Sequence, residues 1–84
     1  MSLRSFADEV CDVMRAAIEE AIPGATAEIT PTGPGHFAVR VVSPAFQGKS
    51  RVQQQQMVYG AIADLMHGDN APVHAIDRLQ TAVP

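Results

Sequence analysis

Five consecutive turn-forming residues, Pro31-Thr32-Gly33-Pro34-Gly35, separate two short runs whose apolar residues alternate. Before them Ala25, Ala27 and Ile29 alternate with Thr26, Glu28 and Thr30; after them Phe37, Val39 and Val41 alternate with Ala38, Arg40 and Val42. A period of two sets each apolar trio on one face of a strand. Proline and glycine between the runs mark a reversal. The spacing predicts an antiparallel hairpin over 25–30 and 37–42, with one face that must be covered.

Two segments can cover it. In residues 3–22, Leu3, Phe6, Ala7, Val10, Cys11, Met14, Ala17, Ile18, Ala21 and Ile22 recur at helical steps, with acids and Arg15 between them. Ser2 is the expected N-cap, and Pro23-Gly24 stops the helix. Ser43-Pro44 ends the second strand, and 44–49, with Phe46 and Gly48, reads as one irregular helical turn. Ser50 or Arg51 starts a second helix to about His67, with Val52, Val58, Ala61, Ile62, Leu65 and Met66 as its buried stripe. Gly68-Asp69-Asn70 closes it.

A last strand is expected over 73–82. Its two obvious core residues, Ile76 and Leu79, stand at an odd spacing that strict alternation cannot place on one face. A one-residue bulge between them reconciles the two. The order α-β-β-(short α)-α-β then gives an α+β two-layer sandwich. Its three-stranded sheet carries both helices on one face.

Composition limits what such a domain can do. Residues 1–84 make a single domain, and at this length a chain buries about 60–65% of its unfolded surface. That leaves little room for a deep catalytic cleft beside a core, so a binding module is expected rather than an enzyme. Six Lys and Arg against nine Asp and Glu give a net charge of −3, which excludes a generally basic nucleic-acid binder. No apolar run approaches membrane-helix length, and residues 1–5 do not read as a signal peptide. A single cysteine, Cys11, excludes an internal disulfide, and a cytoplasmic protein is the expectation.

The chemistry-bearing residues are few. No Cys-x-x-Cys, His-Glu-x-x-His or Gly-x-Ser-x-Gly occurs. Cys11 falls on the apolar stripe and reads as a core residue. His67 stands at a helix end, where a cation is favoured. His36 and His74 both open strands, and neutral imidazole is a common metal ligand. Whether they share an end of the sheet depends on strand order, which spacing does not fix. The turn and helix start at Lys49, Ser50 and Arg51, followed by Gln54 in a run of four glutamines, form a second candidate surface. Cations, free amides and glutamine side chains can meet phosphates and adenine edges. Two clustered cations in an acidic protein give weak, salt-sensitive binding at best, and the plainer reading is a solvated helix start.

Gly35-His36-Phe37-Ala38-Val39, Val42-Ser43-Pro44-Ala45-Phe46-Gln47-Gly48, the segment Ser50 to Tyr59 and Val73-His74-Ala75-Ile76, in this order and spacing, closely resemble the BolA family. The resemblance is to its short bacterial subgroup and spans about residues 6–82. It implies a KH-like fold. It also implies a monothiol glutaredoxin as partner, with a 2Fe–2S cluster bridging the two, glutathione supplying a thiolate, and His74 a ligand. No cofactor is expected in the isolated protein, which should be a monomer or weak homodimer with no membrane association.

The chain departs from that pattern in several places. A second family ligand, Cys or His, normally lies in the loop between the first strands, and Pro31 to Gly35 hold neither. Either His36 serves, or the cluster has one fewer protein ligand, or the complex is apo. Some relatives are described as DNA-binding regulators, which makes the 46–56 surface, with Lys49, Ser50, Arg51 and Gln54, the alternative site. The chain has only Gly48 in place of a Gly-x-x-Gly, Gln55 where many relatives carry histidine, and Asp77-Arg78-Leu79 where the family is more apolar.

Overall fold

The first helix begins where two side chains cap each other. Ser5 Oγ accepts from Asp8 N at 3.1 Å, and Asp8 Oδ2 accepts from Ser5 N at 3.2 Å. This reciprocal pair satisfies amide groups that the first turn leaves without helical partners. In the computed structural model, which describes residues 4–84, α1 spans Phe6–Ala21. Ser2 and Leu3, expected as cap and first apolar residue, lie outside the described residues. Val10, Cys11, Met14 and Ile18 are buried along α1, as the stripe requires. Phe6 and Ala21, at its two ends, are exposed instead, and Phe6 is 72% accessible.

Pro23-Gly24 ends the helix and docks onto the far end of the hairpin. Ser43 Oγ donates to the Pro23 carbonyl at 2.7 Å and accepts from Ala45 N at 3.0 Å. Gly24 has φ of 70°, and a β-carbon there would stand 2.9 Å from the Pro44 ring. Both the left-handed backbone and the close approach call for glycine.

The sheet order is β1-β2-β3. β1 spans Thr26–Gly33 and pairs antiparallel with β2, His36–Val42. The expected five-residue loop is therefore only Pro34-Gly35, because Pro31, Thr32 and Gly33 belong to the strand. Proline is tolerated there because β1 is an edge strand. The pairing slips once, between Pro31 and Gly33, leaving Thr32 as an extra residue.

After β2, a 3-10 turn η1 at Pro44–Phe46 buries Phe46. α2 spans Arg51–Ile62, capped by a second reciprocal pair, Ser50 and Gln53. It tightens into a 3-10 turn η2 at Ala63–Leu65, so it ends before the expected His67. Val58 and Ile62 are buried, and Ala61, Leu65 and Met66 pack partly buried beside them. Val52 is 61% exposed, against expectation. Six residues at about 100° each put it about 120° around the helix from Val58.

β3, Ala75–Ala82, runs parallel to β2. It starts later than the expected residue 73. Val73 is buried in the core, and His74 stands just ahead of the strand. The expected bulge is present: Phe37 pairs with Ile76 and Ala38 with Arg78, so Asp77 has no partner. Asp77 and Arg78 are exposed, while Ile76 and Leu79 pack against the core.

Helices α1 and α2 cover the face carrying Phe37, Val39 and Val41, and Met14, Ile18, Ile22 and Phe46 fill the space between. Each large apolar side chain buried this way contributes about 1.5–3 kcal/mol. The opposite face presents exposed Glu28, Arg40, Arg78 and Gln80 to solvent. Among the described residues, no helix is long and apolar enough to cross a membrane.

Candidate functional site

Parallel pairing decides what spacing left open. β2 and β3 begin at the same end of the sheet, with His36 paired to Ala75, so His36 and His74 share that end. The turn between β1 and β2 sits beside them. His74 N and Ala75 N both donate to the Gly35 carbonyl, at 2.8 and 3.1 Å, which pins the entry to β3 against the turn.

Gly35 also shapes the place of the His74 ring. Its φ is 73°, and a β-carbon there would stand 2.7 Å from Nδ1 and 2.8 Å from Cγ of His74. The exposed imidazole lies in the space that a side chain at Gly35 would fill. Among the described residues it makes no side-chain hydrogen bond. It borders a shallow groove of about 650 Å³ whose walls include Phe6, Val10, Pro34 and Pro72.

His36 is half-exposed and held. Its Nδ1 lies 2.9 Å from Asp77 Oδ1, and Asp77 Oδ2 accepts from Thr32 Oγ1 at 2.8 Å. These hydrogen bonds, that of His36 first, hold the Asp77 carboxyl below its ordinary value. Sequence reasoning named His36 but missed Asp77 and Thr32. The one available signal was the odd Ile76–Leu79 spacing, which marked the bulge but not its contacts.

The other candidates stand apart. Cys11 is buried in the core, and burial pushes its thiol pKa up, which disfavours the thiolate that reacts and binds metal. His67 is exposed, beyond the end of η2 rather than at the end of an α-helix. Among the described residues, no cluster of three or more His, Cys, Asp or Glu could hold a metal.

At the alternative surface, Lys49, Ser50 and Arg51 are exposed. The Ser50 hydroxyl is engaged in its cap. Gln54 donates to the Lys49 and Phe46 carbonyls at 3.0 and 3.3 Å and accepts from Thr81 Oγ1 at 2.7 Å. Its amide ties the turn to β3. Lys49 and Arg51 remain as the outward charges of this surface.

The sequence model of the family described as BolA-like protein matches residues 4–83. The chain belongs to the BolA family. Solved BolA structures share its architecture. Mouse BolA1 superposes with a TM-score of 0.72 at 30% identity, covering 100% of this chain and 72% of that one. The BolA domain of SufE1 from Arabidopsis thaliana gives 0.75 at 25% identity, covering 99% and 96%. Over 53 residues the chain is 36% identical to UV-induced protein uvi31 of Schizosaccharomyces pombe, an alignment of 63% of this chain and 49% of that protein. This BolA chain thus spans about half the length of the curated relative it matches.

Proposed function

We propose that this BolA protein is a non-enzymatic cytoplasmic adaptor that pairs with a monothiol glutaredoxin and shares a bridging 2Fe–2S cluster with it. The observation that carries the reading is the shared sheet end. Two accessible imidazoles stand there, and the one carboxylate beside them is engaged with His36 and Thr32. Among the described residues no group of three or more His, Cys, Asp or Glu could hold a metal ion. Two nitrogens are half of a four-ligand set, so the remaining donors come from outside the chain, as thiolates of the partner and of glutathione.

The residues fit that role. Gly35 leaves room for the His74 ring, and Asp77 occupies only Nδ1 of His36, so Nε2 of that ring is open. Buried Cys11 does not compete for iron. A bound cluster supplies a one-electron redox centre, whose potential imidazole ligation raises relative to thiolate. The match to a BolA domain within SufE1 supports a module that works alongside other protein parts.

The test is co-purification with a monothiol glutaredoxin and glutathione, followed by visible absorption and iron and sulfide assay. A coloured complex is expected, with a spectrum that His74→Ala changes more than His67→Ala. No complex, or a colourless one without iron, overturns the reading.

A further inference from the structure

Thr32 and Asp77 are the extra residues of two bulges, one on each edge strand of the sheet. They meet across β2 through their 2.8 Å hydrogen bond, and the other Asp77 oxygen reaches His36 Nδ1. Two independent register slips thus deliver a carboxylate, braced by a hydroxyl, to the imidazole at the start of the central strand. An ionised carboxylate can only accept. The proton in the Asp77–His36 bond therefore sits on Nδ1, and in the neutral ring, the form that binds metal, Nε2 carries the lone pair. Metal-binding histidines commonly donate their second N–H to a carboxylate in this way, which fixes tautomer and ring orientation and raises ligand basicity.

We propose that Asp77, steadied by Thr32, is the positioning residue that presents His36 Nε2 as an outward metal donor. The inference rests on the cluster-sharing function above and deepens it, since it assigns the second imidazole a defined donor atom. Asp77 touches neither metal nor partner in this role; it acts through His36.

Two measurements test it separately. The first is nitrogen NMR of the imidazoles in the isolated protein near pH 8. His36 is expected with its proton on Nδ1, Asp77→Asn to keep that tautomer through its amide oxygen, and Asp77→Ala to release it. Far-ultraviolet circular dichroism confirms the fold, and Asp77→Ser replaces the alanine variant if that fails to fold. The second is the rate of cluster loss from the reconstituted glutaredoxin pair. Asp77→Ala is expected to speed it about 10–100-fold, Asp77→Asn to restore most of the lifetime, and Asp77→Ala to add nothing in a His36→Ala background.

A His36 tautomer that is the same in wild type and Asp77→Ala overturns the proposal. So does an equal effect of Asp77→Ala with and without His36. A wild-type pair that takes up no cluster defeats the proposed function, while the tautomer measurement still decides the positioning.

Discussion

Gly35 and His74 are packed so closely that a single carbon added to the glycine would overlap the ring, standing 2.7 Å from Nδ1. The same glycine holds a left-handed φ of 73° and gives its carbonyl to His74 N. Turn shape, strand entry and ring placement all depend on this residue.

Gly35→Ala should therefore act twice. The left-handed backbone alone costs an L-residue about 1–2 kcal/mol, and the ring must also move. Urea denaturation should show at least that loss, and the His74 imidazole resonances should shift while those of His67 stay. Unchanged His74 resonances in a folded variant would contradict the close packing.

Ser43 is fully buried and joins the end of α1 to the exit of β2. Ser43→Ala leaves the Pro23 carbonyl and the Ala45 amide without their partner, which costs about 1–3 kcal/mol. The denaturation midpoint should fall, while a reconstituted glutaredoxin pair keeps its visible spectrum. The Ser-x-x-Phe-x-Gly segment then counts as a structural hinge rather than a ligand site.

Lys49 and Arg51 set a ceiling on nucleic-acid binding. Two released counterions give a slope of log K against log salt of about −1.8 on duplex DNA. Fluorescence anisotropy at graded salt should find a slope no steeper than that, with binding lost at physiological ionic strength. A much steeper slope, abolished by Lys49→Ala with Arg51→Ala, would restore the regulator reading.

Asp12 ties α1 to the residues before it. Arg15 foremost, then Arg4, hold its carboxyl below the ordinary value by hydrogen bonding. A lowered folded pKa means this contribution is present above the unfolded value of about 3.9 and is lost as pH falls through the folded one. Asp12→Asn should flatten the dependence of Tm on pH below about 4 and leave it unchanged near neutrality. Added salt should shrink the difference, since all three side chains are well exposed.

Local chemistry and the antiparallel pairing of β1 with β2 were legible in the chain, and the place and direction of β3 were not. Pro23-Gly24 stopped α1 as expected, and Phe37, Val39 and Val41 face the core. The misfit between Ile76 and Leu79 foretold the bulge at Asp77. Start points were harder, because Ser2 and Ser5 are chemically alike and only Ser5 has an acid three residues on. Pro31 reads as a turn former unless β1 is known to be an edge strand. The placing of His36 and His74 at one end of the sheet hangs on β3 running parallel beside β2, a long-range choice no local pattern carries. Asp77 and Thr32 were invisible for the same reason, being 45 residues apart in the chain.

The two bulges have a consequence outside the site. A sheet with open edges invites strands from other molecules to add on, and chains blunt that hazard with proline, charge and irregular pairing. Here β1 carries Pro31 and the Thr32 slip, and β3 carries the unpaired Asp77 followed by Arg78. The irregularities that gather side chains around His36 thus also guard both borders of the sheet against self-assembly into fibrils. Straightening either edge to regular pairing would trade a shaped imidazole for an aggregation-prone template.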